Sequence, residues 1–194
     1  MRQSWMITAL FAALVGVTAS APARAQSSAW GLVINGKAIH VDSSYDWNER
    51  NWGLGFEREF DSQTRWVKVA LGSGFLDSMN VMSYMGGGGL KRRFHFPGHA
   101  NGLYVDLGAV GFLMSRKDIN DYRPFPGVLP TVTIGSRHVA VNVAYLPGAA
   151  ADAVAGVYSL DPGMDAIFFV QIRVNPRVLA PRGLGLHTAL ANRR

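Results

Sequence analysis

The sequence predicts an all-β protein, a single eight-stranded antiparallel transmembrane β-barrel that encloses a pocket. Three observations predict it. After position 26, apolar residues recur with a period of two, which is the period of a strand. In the candidate strands one face is large and apolar, while the other is small, glycine-rich or charged. This is the reverse of a soluble barrel and suits a wall that contacts lipid. Tight turns also alternate with longer loops, as they do in barrels that span a membrane.

The first 25 residues are predicted to be a secretory signal peptide. Arg2 precedes an apolar run over 5–17, and small residues then lead to Ala23-Arg24-Ala25, an Ala-x-Ala cleavage site. The alternative is a transmembrane helix, but such a helix needs about 20 apolar residues and this run is shorter. The mature chain would begin at Gln26 and hold 169 residues, enough for one domain.

The alternation can be followed strand by strand. In the first strand Trp30, Leu32 and Ile34 share a face, but the phase breaks at Asn35-Gly36, where a β-bulge is predicted. Five further strands divide in the same way: Trp52, Leu54 and Phe56 against Gly53, Gly55 and Glu57; Val67, Val69 and Leu71 against Trp66, Lys68, Ala70 and Gly72; Leu103, Val105 and Leu107 against Tyr104, Asp106 and Gly108; Val139, Val141 and Val143 against Ala140, Asn142 and Ala144; and Phe168, Val170 and Ile172 against Ile167, Phe169 and Gln171.

The strands are expected to close into a barrel, because an open edge in hydrocarbon leaves unpaired backbone groups that cost several kcal/mol each. Residues 26–176 are assigned to this barrel, and residues 177–194 to a basic, flexible C-terminal tail. The predicted strands cover 30–39, 52–60, 66–76, 82–94, 102–114, 128–136, 138–146 and 166–175.

Composition and spacing exclude several classes of function. The chain has no cysteine, so neither disulfides nor thiol chemistry are available. Without Arg2 and Arg24 it carries 17 basic and 13 acidic residues, a net charge of +4. This diffuse excess favours anionic lipid headgroups and does not indicate nucleic acid. His95 and His99 are four residues apart, but Pro97-Gly98 between them rules out a helical metal pair. We predict no metal and no cofactor.

Polar residues at two strand ends are the candidates for chemistry. His40 ends the first strand, and Asp77 and Ser78 end the third, so all three side chains fall at the rim that carries the long loops. Histidine titrates near neutrality and is the usual general base, and a neighbouring hydroxyl can be activated or can bind an oxyanion. A histidine at a strand end is more often a solvated surface residue, and Asp-Ser more often belongs to a turn. The residues alone therefore leave both readings open.

Glycines and prolines give two weaker signals. The run Gly86–Gly89 in the fourth strand, with other glycines on the small faces, suggests missing volume in the lumen and hence a pocket. The alternative is that bulky residues fill the gap: Phe112, Met114, Phe169 and Trp66. Prolines such as Pro126 and Pro147 flank two neighbouring strands and can interrupt the ladder between them. This arrangement either opens a lateral window or only stiffens the loops.

Four short motifs in order resemble the outer-membrane lipid A palmitoyltransferases (PagP). The family's Tyr-Asn-Glu-Arg-Pro-Trp-Gly is similar to residues 47–53, Trp-Asn-Glu-Arg-Asn-Trp-Gly. Its Phe-Lys-Asp-Ser-Trp-Asn-Lys is similar to residues 75–81, Phe-Leu-Asp-Ser-Met-Asn-Val. Its Pro-Leu-Pro segment leading to Leu-Pro resembles residues 124–130, and its Tyr-Ile-Pro-Gly resembles residues 145–148. The chain departs from the family at Asn51, which replaces a proline, and in a shorter spacing from His40 to Asn48.

The resemblance implies an eight-stranded outer-membrane barrel with an interior acyl pocket. It implies transfer of a palmitoyl-like chain from a phospholipid donor to a hydroxyacyl chain of lipid A by a monomer without nucleic-acid partners. By resemblance, His40 would take the proton of the lipid A hydroxyl, while Asp77 and Ser78 would orient His40 or polarise the ester. The other implied positions are Asn48 and Arg50 for loop support or headgroup phosphate, Gly86, Gly87, Gly88 and Gly89 for the pocket floor, and Pro126 and Pro147 for lateral access.

The sequence is also compatible with three alternative functions. The first is a non-catalytic outer-membrane barrel of the same fold that binds lipid or has a structural role. The second is a small soluble ligand-binding barrel in the periplasm. The third is another outer-membrane lipid enzyme, such as a deacylase, for which the sequence offers no second motif.

Overall fold

The computed structural model describes residues 29–60, 62–99, 102–151 and 164–176. The predicted signal peptide over 1–25 and the predicted tail over 177–194 lie outside the described residues. No helix in the described part of the chain is long and apolar enough to cross a membrane. A 3-10 turn at Asn120–Tyr122 precedes the sixth strand. The strands are β1 (Ala29–Val41), β2 (Arg50–Glu59), β3 (Trp66–Leu76), β4 (Met82–His95), β5 (Tyr104–Ser115), β6 (Phe125–Gly135), β7 (Val139–Pro147) and β8 (Ala166–Val174).

The strands form one closed antiparallel barrel in which each strand pairs with its sequence neighbours and β8 pairs with β1. The predicted eight-stranded barrel is confirmed. The largest difference in bounds is at β6, which begins at Phe125 rather than at residue 128. Pro126 is accepted inside this strand because it pairs with Leu113 of β5 and has no pairing partner in β7. Proline fits a strand where its missing N–H has no ladder to join.

The predicted inversion of the faces is confirmed in β2. Trp52, Leu54 and Phe56 point outward with 61%, 63% and 48% of their surface exposed, whereas Glu57 and Glu59 are buried in the lumen. The outward face is therefore apolar and the inward face carries charge. This distribution is typical of a barrel surrounded by lipid.

The predicted faces of β3 were wrong. Val67 and Val69 are buried inside the barrel and pack with Val110 of β5, whereas Trp66 lies outside. Gly72 consequently faces outward beneath the ring of Phe56. In β3 one face carries valines and the other carries Trp66 and Lys68. Both faces therefore contain large apolar residues, and the alternation does not indicate which face is inside.

The lumen has two different halves. The half near the short turns holds three acidic side chains, Glu57, Glu59 and Asp106, and three basic ones, Lys91, Arg93 and Arg173. Lys91 Nζ lies 3.0 Å from Glu57 Oε2, and Arg93 donates two 2.7 Å hydrogen bonds to the Asp106 carboxylate. Burial of these charges is possible because each has oppositely charged partners. This balanced network fills one end of the barrel and confines open space to the other.

A β-bulge sets the direction of the side chains at the end of β1. The register with both neighbouring strands shifts between Asn35 and Lys37, which confirms the predicted irregularity. Before the bulge Val33 and Asn35 are buried in the lumen, and after it Ala38 is buried. The extra residue, Gly36, thus changes the inward set from odd to even positions. His40 faces inward for this reason.

Candidate active site

His40 and Ser78 meet at the rim that carries the long loops. His40 Nε2 lies 2.9 Å from Ser78 Oγ, although the residues are 38 positions apart. The His40 side chain is only 2% exposed, and Ser78 is buried. The sequence prediction that His40 and Ser78 approach one another corresponds to a direct hydrogen bond in the structure. A shielded imidazole beside a hydroxyl is the arrangement used for general base and nucleophilic chemistry.

The other side of the His40 ring is formed by the loop between β1 and β2. Trp47 stacks on the imidazole with the ring centroids 5.6 Å apart. The His40 backbone N–H donates to Glu49 Oε1 at 3.1 Å, and the same oxygen lies 3.9 Å from His40 Nδ1. His40 Nδ1 is buried and has no hydrogen-bond partner within the described residues. Trp47 and Glu49 flank Asn48, and neither was singled out from the sequence.

Asp77 organises the turn that carries Ser78. Its Oδ1 accepts hydrogen bonds from the backbone N–H groups of Met79 at 2.9 Å and Val81 at 3.0 Å. Its Oδ2 accepts one from Ser83 Oγ at 2.6 Å. These contacts occupy the carboxylate with the turn and with β4. Through these bonds Asp77 holds in place the turn that carries Ser78.

Two asparagines tie the loop and β2 to the same turn. Asn48 donates its backbone N–H to the Ser78 carbonyl at 2.9 Å and its side-chain Nδ2 to the Asp77 carbonyl at 2.9 Å. Asn51 accepts the Ala38 backbone N–H at 2.9 Å and donates to the Leu76 carbonyl at 2.7 Å. Asn51 thus bridges β1 and β3 at the height of the site. The residue that replaces the family's proline is a buried connector.

Arg50 and Lys37 present two cations on the outside of the rim. They are register partners across β1 and β2. Lys37 Nζ lies 3.1 Å from Glu49 Oε2, whereas Arg50 is exposed. Both residues, together with His40, line an open groove of about 710 Å³ formed by the β1–β2 loop. Asp46 and Glu49 line the same groove, so its two basic side chains stand beside two acidic ones.

Arg116 is a further charged residue that the sequence did not indicate. It directly follows β5 and pairs with Asp118, with Nη2 2.6 Å from Oδ2. Its Nε lies 3.7 Å from Asp77 Oδ2. The cation therefore faces the site from the strand opposite β1. Its only sequence signal is its position at the end of a strand that enters the same rim.

An apolar cavity of about 350 Å³ opens below the His40–Ser78 pair, and both residues line it. Phe112, Met114 and Phe169 line the cavity without filling it, while Trp66 lies outside the barrel. The sequence left open whether bulky residues fill the lumen or a pocket remains. In the structure bulky residues line the lumen and a pocket remains. Asn35 and Gln171, joined by a 2.5 Å hydrogen bond, lie on the side toward the ionic network. Other lining residues are Phe75, Met85, Phe125, Leu129, Ala144 and Ile167.

The four glycines of β4 do not line this cavity. Gly87 and Gly89 are on the inward face with Lys91, and Gly86 and Gly88 are on the outward face with Leu90. A Cβ at Gly87 would overlap the backbone of Gly111 and Phe112. A Cβ at Gly89 would overlap the Ala109 carbonyl. The inward glycines thus permit β4 and β5 to approach each other closely.

A gap in the ladder between β6 and β7 leads from the outer wall toward the cavity. Within the described residues these strands pair only from Thr131–Gly135 to Ala140–Ala144. The upper part of β6, which contains Pro126 and Pro130, and the end of β7 at Pro147 have no cross-pairing. Pro126 lines the cavity, and Pro147 pairs with Ala166 of β8 on its other side. The two prolines named from the sequence flank this gap.

The described part of the chain contains no group of three His, Cys, Asp or Glu side chains able to hold a metal ion. The fold and the site together define a class: small antiparallel barrels with an apolar lumen cavity and a shielded His–Ser pair at its mouth. The chain belongs to the family described as antimicrobial peptide resistance and lipid A acylation protein PagP, whose family model matches residues 25–158.

Similar proteins carry consistent names. The lipid A acyltransferase PagP of Methylobacillus flagellatus is 34% identical over 116 residues, which are 56% of this chain and 61% of that protein. The lipid A acyltransferase PagP of Bordetella pertussis is 31% identical over 124 residues, 60% of this chain and 66% of that protein. The protein of the same name from Salmonella typhi is 28% identical over 130 residues, 63% of this chain and 67% of that protein. The chain thus spans slightly less than two thirds of the first two relatives.

Proposed function

We propose that this protein is an outer-membrane acyltransferase that moves a fatty acyl chain, palmitoyl-like in length, from a phospholipid to a hydroxyacyl chain of lipid A. The observation that carries the proposal is the 2.9 Å contact between His40 Nε2 and Ser78 Oγ at the mouth of an apolar cavity. Membership of the PagP family and the names of the relatives support it. The cavity lies within the range of about 300–1,000 Å³ that is usual for small-molecule sites.

Placement in the outer membrane is supported by the outer surface of the barrel. Trp30 and Trp66 are exposed near the short-turn end, and Arg58 stacks on the Trp30 ring at 5.2 Å. Tryptophan and arginine are favoured at a membrane–water interface, where one part of the side chain is apolar and the other is hydrated. In this proposal residues 1–25 direct export and are removed, residues 177–194 form a basic tail, and the barrel acts as a monomer.

The proposed reaction exchanges one ester for another. His40 Nε2 takes the proton from the lipid A hydroxyl, whose oxygen attacks the phospholipid ester carbonyl and forms the new acyl–oxygen bond. The bond to the glycerol oxygen then breaks, and His40 returns the proton to that oxygen, which leaves as a lysophospholipid. Ser78, displaced from His40 by the incoming hydroxyl, donates a hydrogen bond to the developing oxyanion. The transfer balances without a cofactor or metal.

Substrate access follows from the rim and the ladder gap. The acyl chain of the donor enters the lumen between β6 and β7, past Pro126 and Pro147, and lies in the cavity beside Met114 and Phe169. Arg50, with Lys37, binds a lipid phosphate in the outer groove, because a guanidinium can donate two parallel hydrogen bonds to it. Asn48 supports the loop through its bonds to the turn at residues 77 and 78. Of the four glycines, Gly87 and Gly89 act by allowing the close approach of β5.

A second mechanism uses the same contact differently. If Ser78 is the nucleophile, His40 removes the Ser78 proton and the acyl chain is first carried on Ser78. The two mechanisms differ in one observable species. Intact-mass analysis of detergent-solubilised protein after incubation with phospholipid alone detects an acyl-Ser78 adduct only in the second mechanism.

The test of the function is mass spectrometry of lipid A from cells that express the chain, compared with cells that express His40→Ala. A mass gain equal to one acyl chain, absent in the variant, supports the proposal. A mass loss identifies a deacylase. Unchanged lipid A in cells whose barrel is folded and inserted, as judged by heat-modifiable migration on gels, supports a non-catalytic barrel. Release of the chain as a soluble protein contradicts placement in the membrane.

A further inference from the structure

The carboxylate of Glu49 lies beside a buried ring nitrogen of the site, His40 Nδ1, that lacks a hydrogen-bond partner among the described residues. Glu49 Oε1 lies 3.9 Å from His40 Nδ1, and it already accepts the His40 backbone N–H at 3.1 Å. His40 Nδ1 has no hydrogen-bond partner among the described residues, although the ring is 2% exposed. A buried polar atom without a partner is rare and costly. A small movement of the Glu49 side chain supplies that partner.

We propose that Glu49 is a positioning residue of the catalytic histidine, so that Glu49 and His40 act as one relay toward the substrate hydroxyl. This inference rests on the acyl transfer proposed above. Glu49 accepts the hydrogen of Nδ1, which keeps the other ring nitrogen, Nε2, unprotonated and directed at the hydroxyl. When Nε2 takes the substrate proton, the carboxylate stabilises the resulting imidazolium. The tautomer of a histidine is set in this way by the hydrogen bond of its second nitrogen.

Asp77 does not provide this contact. Its two oxygens already accept three hydrogen bonds from the turn and from Ser83. Glu49 is the carboxylate that faces the free side of the imidazole. The relay therefore joins His40 at the end of β1 to Glu49 in the β1–β2 loop.

Glu49 is suited to carry a negative charge at this position. The hydrogen bond from the His40 backbone N–H, followed by the contact with Lys37, lowers the pKa of the Glu49 carboxyl below its usual value. Lys37 Nζ lies 3.1 Å from the second oxygen, Oε2, so the carboxylate is shared between Lys37 outside and His40 inside. The Glu49 side chain is 34% exposed, which leaves it room to move toward Nδ1.

Other charges also face the imidazole and must be considered in any pH measurement. Arg116 acts from the end of β5, where it is paired with Asp118 and lies 3.7 Å from Asp77. Burial of the ring is the largest influence and opposes protonation of His40; the negative charge of Glu49 favours protonation, and the positive charge of Arg116 opposes it. A change confined to Glu49 leaves the Arg116 contribution in place.

The variant Glu49→Gln tests the charge with little change in shape. Its amide oxygen can still accept the His40 backbone N–H, so the loop keeps its attachment. We expect turnover to fall by at least about 10-fold, because the imidazolium is no longer stabilised. We also expect the pH of half-maximal activity on the acid side to move down by about 1 unit, because an opposite charge no longer favours protonated His40. The assay uses full-length protein in detergent micelles with phospholipid donor and lipid A.

The matched variant Lys37→Gln removes the outer partner of Glu49 and keeps the carboxylate. Its acid limit is expected at the parent value or above, opposite to that of Glu49→Gln. An NMR titration of the His40 ring in micelles follows the same shift without turnover. An acid limit and a ring titration that are both unchanged in Glu49→Gln overturn the relay and leave Glu49 as a loop support. Absence of activity in the parent protein contradicts the acyl transfer, while the ring titration still tests the Glu49–His40 contact.

Discussion

His40 Nε2 and Ser78 Oγ are 2.9 Å apart because a bulge in β1, one residue long relative to β8, turns His40 into the lumen. Ser78 is presented by a turn at the end of β3, two strands away around the barrel. The contact thus depends on three separate parts of the chain: the bulge, the turn at Asp77 and the loop that carries Trp47 and Glu49. Each part can be altered separately.

Replacement of His40 by alanine is expected to abolish acyl transfer, and Ser78→Ala to reduce it strongly, with the barrel still folded. General base catalysis contributes about 10²–10⁴-fold. The measurement is the transfer rate of labelled acyl chains from phospholipid to lipid A in micelles. His138→Ala, at the exposed turn between β6 and β7, is the control and should retain parent activity. Near-normal activity of folded His40→Ala would show that the base lies elsewhere.

Replacement of Asp77 by alanine should destabilise the barrel as well as slow the reaction. Two backbone N–H groups and the Ser83 hydroxyl lose their shared acceptor. The loss is expected to be roughly 1–3 kcal/mol in the free energy of unfolding, measured by urea titration in detergent. Ser83→Ala, which removes one of these bonds, should cost less. An Asp77→Ala protein with parent stability and no activity would instead argue for direct contact with the substrate.

Insertion of one alanine between Lys37 and Ala38 should remove activity by turning His40 outward. The added residue moves every following position of β1 to the opposite face, so His40 would point away from the lumen. The control is Gly36→Ala, which keeps the residue count. Its Cβ would lie 3.5 Å from the Val170 carbonyl, an ordinary contact, so activity should survive. Heat-modifiable migration confirms folding of both proteins. Full activity of the insertion variant would contradict the view that the alternation after the bulge directs His40 into the lumen.

Shortening the cavity should change the acyl chains that are accepted. Ala144 lines the cavity and lies one inward position above Asn142, which belongs to the polar half of the lumen. Ala144→Leu adds side-chain volume there and should shift preference toward shorter donors, since each excluded CH₂ forfeits about 0.8 kcal/mol. The measurement is competition between phospholipids of graded chain length. Unaltered preference would mean that the chain end lies away from Ala144.

The glycines of β4 provide a contrasting test. Methionine at Gly87 or Gly89 should lower stability, because the new Cβ overlaps the β5 backbone. Methionine at Gly86, on the outer face, meets its nearest backbone oxygen at 3.9 Å and should be tolerated. Unfolding in urea and donor preference are measured on the same variants. A change in donor preference at Gly87 without loss of stability would restore these glycines to the floor of the pocket.

Alternation along a strand is a local property, and it was therefore enough to predict the barrel from the sequence. Neighbouring residues were enough to predict three features: the outward face of β2 with Trp52 and Leu54, the irregularity at Asn35-Gly36, and the strand ends at His40 and Asp77. The order of the four family motifs was also visible in the sequence. Alternation failed for β3, where Val67 and Trp66 are both large and apolar and the pattern cannot tell lumen from lipid.

The polar contacts at the rim depend on how the strands are arranged around the closed barrel. The partners of His40 come from positions 38 residues away at Ser78 and 9 residues away at Glu49, and no spacing rule connects them. The bonds from Asp77 to the turn that carries Ser78 likewise appear only in the structure. Arg116 and Asn51 enter the site from other strands. Barrel closure and strand register bring distant strand ends to one rim and so set these side-chain contacts. The periodicity of a single strand does not predict them.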